Sequence, residues 1–257
     1  MITAVQMRDR FAVVTGASSG IGAAVAERLA AHGVHLVLVA RNAGKLEEEA
    51  ARLSRRHGVT VHAVPLDLAT ADAPTRLAKT LADLGIEVEV LVNNAGVSTR
   101  GPVLDGDPAR FRSVIDVNVT ALTELTALLM PAMVARGHGA VVNIASTGAY
   151  TPAPYLAVYA ATKAYVLSFT QALWAETRGT GVRVVEVSPG PTKTPMNSHG
   201  TRTAEAVAST VFRALSGNRP SVVDGCTNKL ITSLFGKLMP RRFALAIARR
   251  VMARSGA

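Results

Sequence analysis

Short apolar runs alternate along this chain with longer stretches of helical periodicity, and the runs are apolar on both faces. Phe11-Ala-Val-Val-Thr15 leads to an alanine-rich stretch from Ile21 to His32 that Gly33 stops. Val34–Ala40 is a second run, followed by a helical stretch capped by Asn42 and ended at Gly58. The same reading predicts strands over 59–66, 88–93, 139–146, 182–188 and 221–224. It predicts helices over 74–84, 108–136, 155–178 and 203–215, with Pro131 bending or ending the long one. A strand apolar on both faces must be covered on both faces. Alternating helices supply that cover when the sheet is parallel. The expected fold is α/β: one doubly wound domain with a seven-stranded parallel sheet over residues 1–227. A basic helical extension over 228–257 follows it.

Composition agrees with a single packed domain. Hydrophobic residues make up 49% of 257 residues, which excludes a disordered chain, and no linker or repeat divides it. The single cysteine, Cys226, excludes an internal disulfide and a cysteine-based metal site. The histidines show no His-Glu-x-x-His spacing, so no metal is expected. No apolar stretch reaches about 18 residues, and the start shows no signal-peptide pattern, so a cytoplasmic protein is expected.

The formal charge is +10, from 28 basic and 18 acidic residues. The stretch 229–257 holds Lys229, Lys237, Arg241, Arg242, Arg249, Arg250 and Arg254 and no acid. With the excess concentrated there, a nucleic-acid surface over the domain is not expected. Pro240 suits the first position of a helix. In that helix Ala244, Leu245, Ile247, Ala248, Val251 and Met252 share a broad arc, opposite Arg242, Arg249, Arg250 and Arg254. Upstream, Leu230, Ile231, Leu234, Phe235, Leu238 and Met239 add apolar surface. Two readings follow: peripheral contact with an anionic membrane, or packing over the cleft or a neighbouring subunit.

After the first run comes Thr15-Gly16-Ala17-Ser18-Ser19-Gly20-Ile21-Gly22, then a helix. Glycines allow positive φ and close backbone approach, and a helix N-terminus offers unpaired N–H groups to a phosphate. Between first strand and first helix, this is the pattern of a Rossmann-type dinucleotide site, with Gly16, Ser18, Ser19, Gly20, Ile21 and Gly22 as its contacts. The second strand ends in Ala40-Arg41, with no carboxylate to bind the NAD ribose. Arg41 can pair with the 2′-phosphate of NADP instead. Asp67, beside Leu68, can accept from an adenine amino group or cap a turn.

Ser146 closes the fifth strand, and Tyr159-Ala-Ala-Thr-Lys163 lies in the helix that follows. At i and i+4 the phenol and ammonium share a face. Carbonyl reduction needs such a set: a proton donor, a cation beside it, and a hydroxyl to hold the substrate oxygen. Ser146 does not stand in the G-x-S-x-G elbow of a hydrolase nucleophile.

The chain resembles the short-chain dehydrogenase/reductases. Thr15-Gly16 to Gly22, Asn93-Asn94-Ala95-Gly96, Asn118, Ser146, Tyr159 to Lys163, and Pro189-Gly190 followed by Thr194 stand in the family's order over residues 10–225. The resemblance implies that Tyr159 is the general acid/base, with Lys163 lowering its pKa and binding the nicotinamide ribose. Ser146 would orient the carbonyl, and Asn118 would hold a water linking Lys163 to solvent. Asn93, Asn94, Ala95 and Gly96 would line the adenosine side. Pro189, Gly190, Thr192 and Thr194 would hold the carboxamide and pyrophosphate. It further implies NADP(H), a small carbonyl or alcohol substrate, and a homodimer or homotetramer. Apolar residues on the helices from 108 and 155 (Leu122, Leu125, Leu128, Leu129, Leu167, Phe169, Leu173, Trp174) would form the subunit interface. The family's NADP users often carry a basic residue in the glycine turn, where this chain has Ser19. Tyr150–Pro154, Ala172–Glu176 and the basic end resemble bacterial 3-oxoacyl and hydroxysteroid reductases. A non-catalytic NADP sensor and a peripheral membrane protein are the alternatives.

Overall fold

The computed structural model describes residues 7–233 and 240–254. Seven strands are present among them: β1 (Phe11–Thr15), β2 (His35–Ala40), β3 (Val61–Pro65), β4 (Val88–Asn93), β5 (Gly139–Ile144), β6 (Val182–Ser188) and β7 (Ser221–Val223). They form one parallel sheet in the order β3-β2-β1-β4-β5-β6-β7. The order reverses between β1 and β4, and in such a sheet the crevice at the C-terminal strand ends there is where ligands bind.

Alternate residues of each strand feed two cores. Val14, Leu38, Val92 and Val187 face α1 (Gly20–Ala30), α2 (Ala43–His57) and, beyond β7's side of the sheet, α7 (Ala204–Leu215). Val13, Val39, Leu91 and Val184 face α3 (Ala73–Asp83), α5 (Ala121–Arg136) and α6 (Ala157–Glu176). Burial on both faces is why the strands read as continuous apolar runs. Asn42 accepts from Lys45 N–H at 3.0 Å and caps α2.

Several boundaries depart from the sequence reading. The helical stretch from 108 to 136 is α4 (Pro108–Ile115), a π turn over Asp116–Thr120, then α5. It is long and apolar enough to cross a bilayer by composition. Here Leu122, Leu125 and Met133 are buried in the domain, as in a core helix. Pro131 does not end α5, which continues to Arg136 and closes on Gly137 in the left-handed region. The helix expected from Tyr155 begins at Ala157, because Tyr155 sits at φ 64°.

The proposed interface residues are largely used inside. Leu122, Leu125 and Leu173 are buried, and Leu129, Phe169 and Trp174 pack against the cores; Leu128 stays exposed. At the C-terminal end, α8 (Cys226–Ser233) exposes Leu230 and Ile231, and α9 (Arg241–Arg254) follows. The apolar arc of α9 is split: Ala244 is buried, whereas Ile247 is exposed, as are Phe243, outside the arc, and Arg242, Arg249 and Arg250. The expectations for Leu234, Phe235, Leu238 and Met239 lie outside the described residues.

Candidate active site

The glycine turn joins the C-terminal end of β1 to α1 by close packing. Gly16 and Gly20 take φ of 67° and 58°, where glycine alone is unstrained. Gly22 is required for space: a Cβ there would stand 2.3 Å from the Gly16 carbonyl oxygen. Thr15 clamps the turn to the next strand. Its Oγ1 accepts from the N–H groups of Asn94 and Ala95, each at 3.0 Å, and donates to Val92 O at 3.3 Å. Asn94 Nδ2 donates to Thr15 O at 2.8 Å.

Across the turn lies the loop that follows β6. A Cβ on Gly20 would meet Thr194 Cγ2 at 3.1 Å, so this loop covers the glycines. Thr192 is buried, donates to Gly190 O at 2.9 Å and bridges to Arg202. Ser19 caps α1 with extended backbone and no side-chain hydrogen bond to the first turn. The uncapped helix end and the glycine cradle fit a dinucleotide's phosphates. Gly16, Ser18, Ser19, Gly20, Ile21, Gly22 and Thr194 are thereby brought to one place.

Arg41 is exposed at the end of β2, open to a ligand there. Asp67 is exposed too, but its Oδ1 accepts from Ala69 N–H at 3.0 Å and shapes the turn. Leu68 turns its side chain into the core, leaving its backbone toward that edge. The implied role of Asn93 on the adenosine side is not met. Asn93 is buried and donates to Thr126 Oγ1 at 3.1 Å and to Asn143 Oδ1 at 2.9 Å, within the core.

Ser146, Tyr159 and Lys163 converge beyond the end of β5. Ser146 is extended and accepts from Gly148 N–H at 3.1 Å. Thr147 N–H donates to Pro189 O at 2.8 Å, which joins this loop to the one after β6. The Tyr159 hydroxyl faces Ser146, whose side chain favours the phenolate form. Lys163 is buried and its Nζ donates to Ile144 O at 2.9 Å, 5.8 Å from the Tyr159 ring centre. Gly96 backs the cluster: a Cβ there would lie 3.4 Å from both Lys163 Nζ and Asn118 Oδ1.

Asn118 occupies the π turn and serves as a brace. Its Oδ1 accepts from Val97 N–H at 2.9 Å, and its Nδ2 donates to Val97 O and to Thr162 Oγ1, both at 3.0 Å. Thr162 Oγ1 donates in turn to Tyr159 O at 2.7 Å. The Asn118 side chain is thus engaged with Val97 and Thr162, and it holds the loop after β4 against the helix that carries Tyr159 and Lys163. Thr162 was missed by sequence reasoning. A threonine inside Tyr-x-x-x-Lys was the available signal.

Burial dominates the electrostatics. It pushes the Tyr159 phenol above its ordinary value, opposed by the Ser146 side chain. Burial also brings Lys163 down to about 8, opposed by the nearby carboxyl of Glu186. Any lowering of the Tyr159 pKa by Lys163, as the resemblance implies, is outweighed here by burial. A buried phenol that keeps its proton is a donor poised to protonate an oxygen.

The model of the short chain dehydrogenase family matches residues 10–205. The chain belongs to this family. It is an oxidoreductase of carbonyl and alcohol groups that works with a nicotinamide cofactor. It is 36% identical over 203 residues to sulfoacetaldehyde reductase 2 of Chromohalobacter salexigens, covering 78% of this chain and 80% of the relative. It is 37% identical over 184 residues to human very-long-chain 3-oxoacyl-CoA reductase, covering 70% of this chain and 58% of that longer protein. A short-chain dehydrogenase from Sphingobium yanoikuyae, solved with NADPH, superposes with a TM-score of 0.78 at 30% identity over 90% of this chain and 96% of that one.

The tight contact at Gly22 gives a direct test of the cradle. Gly22→Ala places a methyl group against backbone that cannot move aside. It is expected to lower stability by about 1–3 kcal/mol in urea unfolding and to weaken NADPH binding, read by fluorescence titration.

Proposed function

We propose that the enzyme reduces an apolar ketone or acyl-type carbonyl with NADPH, or oxidises the matching alcohol. The observation that carries this reading is the assembly of Ser146, Tyr159 and Lys163 at one strand end beside the glycine cradle. A non-catalytic sensor has no use for a buried phenol and a buried ammonium held in register. Arg41 supports the 2′-phosphate, and a solved relative supports the cofactor class through its NADPH complex. Gly16, Ser19, Gly20 and Gly22 would hold the pyrophosphate, and Asn94 to Gly96 with Pro189 to Thr194 the rest. Hydride is what NADPH supplies when bound. Ser146 donates to the carbonyl oxygen and orients it. Tyr159 delivers its proton to that oxygen as negative charge builds, and Lys163 stabilises the phenolate left behind. Asn118 and Thr162 keep the helix in place during the step.

An apolar substrate is supported by Val103, Leu104 and Met196. These exposed apolar side chains stand on the loops that leave the C-terminal ends of β4 and β6. The 3-oxoacyl-CoA reductase relative points the same way, toward a long acyl chain. We further propose a cytoplasmic homo-oligomer. The lone cysteine supports the first, and exposed Ile115, Leu128 and Tyr165 support the second. Sedimentation at micromolar concentration is expected to show a dimer or larger; a monomer would contradict it. Membrane contact through α9 is the second reading, favoured by Phe243 and Ile247 exposed beside arginines. Flotation on anionic liposomes decides it.

Tyr159→Phe is expected to retain NADPH binding and lose about 10²–10⁴-fold in kcat, in stopped-flow NADPH oxidation against a ketone panel. The ammonium of Lys163 is present below about 8 and lost above it, so reduction is expected to decline as pH rises through that value. Arg41→Ala is expected to weaken NADPH about ten- to a hundredfold and leave NADH nearly unchanged. Equal losses would show that Arg41 supports only its loop.

A further inference from the structure

Glu186 is a carboxylic acid in the middle of an apolar strand, with no solvent exposure. Its cross-strand partners are Asn143 on β5 and Ser221 on β7, and Asn143 pairs with Asn93 on β4. A row of four polar residues therefore crosses the sheet on the face covered by α5 and α6. Two members are engaged by neutral side-chain bonds, although Asn93 Oδ1, like Glu186 Oε2, has no hydrogen-bond partner. Asn93 binds Asn143 and Thr126, and Asn143 donates to Thr170 on α6 at 2.9 Å. Glu186 is different. One carboxyl oxygen pairs with Ser188 Oγ, while Oε2 is buried without a hydrogen-bond partner. A carboxyl left so is unfavourable relative to an apolar residue, so stability does not explain it.

The surroundings of Glu186 point toward the catalytic cluster. From α6, Lys163 enters the same face: its Nζ donates to Ile144 O, one residue beyond Asn143, the cross-strand partner of Glu186, and the two charges act on each other. From the loop after β5 Glu186 faces the Tyr150 phenol, which lies beside Ser188 and Ser221. Ser188 Oγ also lies 3.0 Å from Ser146 O, the residue that orients the substrate. Other charged groups nearby are taken up elsewhere. Arg183, on the same strand, turns to the opposite face and donates to the carbonyls of Ala214, Val184 and Arg219. Asp224, beyond β7, is held by Arg202.

We propose that Glu186 is a positioning residue for the reductase site: its carboxylate, which accepts from the Ser188 hydroxyl, lies on the face that Lys163 enters and keeps that buried side chain in the ammonium form. The catalytic consequence rests on the functional reading above; the effect on Lys163 does not. Burial alone strips Lys163 of its proton, and a carboxylate facing it opposes that. Burial keeps Glu186 itself partly protonated, against the Ser188 bond and the Lys163 charge.

The direct test is the titration of Lys163, followed by NMR of lysine carbon-13 at Cε and assigned with Lys163→Met. In Glu186→Gln the midpoint is expected to fall by about one unit, because the carboxylamide occupies the same space without the charge. A midpoint within about 0.2 unit of the natural protein would overturn the proposal, since a merely structural Glu186 would alter unfolding but not this titration. Ser188→Ala keeps the carboxyl but removes the hydroxyl that favours its charged form. It guards against a Glu186→Gln chain that does not fold, and its midpoint is expected to shift in the same direction by a smaller amount; no shift would likewise count against the proposal. In kinetics, the alkaline limb of carbonyl reduction is expected to move down with the Lys163 midpoint. Absence of any turnover by the natural protein would defeat the functional reading while the NMR titration still decides the role of Glu186.

Discussion

A lysine ammonium with almost no exposure is the arrangement around which this site is built. Burying that charge is unfavourable, and the fold meets the difficulty with the carbonyl of Ile144 and the nearby carboxyl of Glu186. The Ile144 carbonyl is available because β5 ends there and the chain leaves the sheet toward Ser146. Lys163 can reach it because α6 lies across β6 and β5. The phenol one helical turn earlier is then fixed as well. Position, burial and charge of the reacting groups all follow from where one strand stops and one helix crosses.

The same edge of the sheet assembles everything else. Thr15, Asn93, Ile144 and Ser188 are the last residues of β1, β4, β5 and β6. A different loop leaves each of these strand ends. In turn they form the glycine cradle, the Asn94–Gly96 wall, the Ser146 turn and the cover over Gly20. Side-chain bonds cross from one loop to the next. Thr15 holds Asn94 and Ala95, Asn118 holds Val97, and Ser188 lies against the Ser146 carbonyl. The loops are the exposed and variable parts of such a fold, yet here each is pinned by at least one bond from a neighbouring loop or helix.

Most of the fold was legible in the sequence, because two-sided apolar strands and glycine or asparagine stops are local signals. The family's glycines and the Ser146, Tyr159 and Lys163 set were legible for the same reason: their spacing is fixed by a turn or by a helix. Asn93 was misjudged. It shares a motif with Asn94, but the alternation of a strand sends its side chain to the core and that of Asn94 to the turn. The π turn at Asp116–Thr120 was not visible, since one extra residue in a helical turn leaves the apolar period almost unchanged. Pro131 did not break α5; tertiary packing outweighed the local rule. Glu186 carried a signal that went unused. A lone carboxylate inside Val182-Arg-Val-Val-Glu-Val-Ser188 breaks an apolar pattern at a buried position, and such a break marks a site.

The proposed chemistry depends on Tyr159 being a buried phenol held in its protonated form, ready to give a proton to the substrate oxygen. The chain has four tyrosines, so the titration of Tyr159 can be followed by NMR with carbon-13 at Cζ and assigned with Tyr159→Phe. Without cofactor, the midpoint is expected above the ordinary tyrosine value of about 10. A midpoint at or below about 7 would mean that Tyr159 is a phenolate near neutral pH, and would contradict its role as the proton donor.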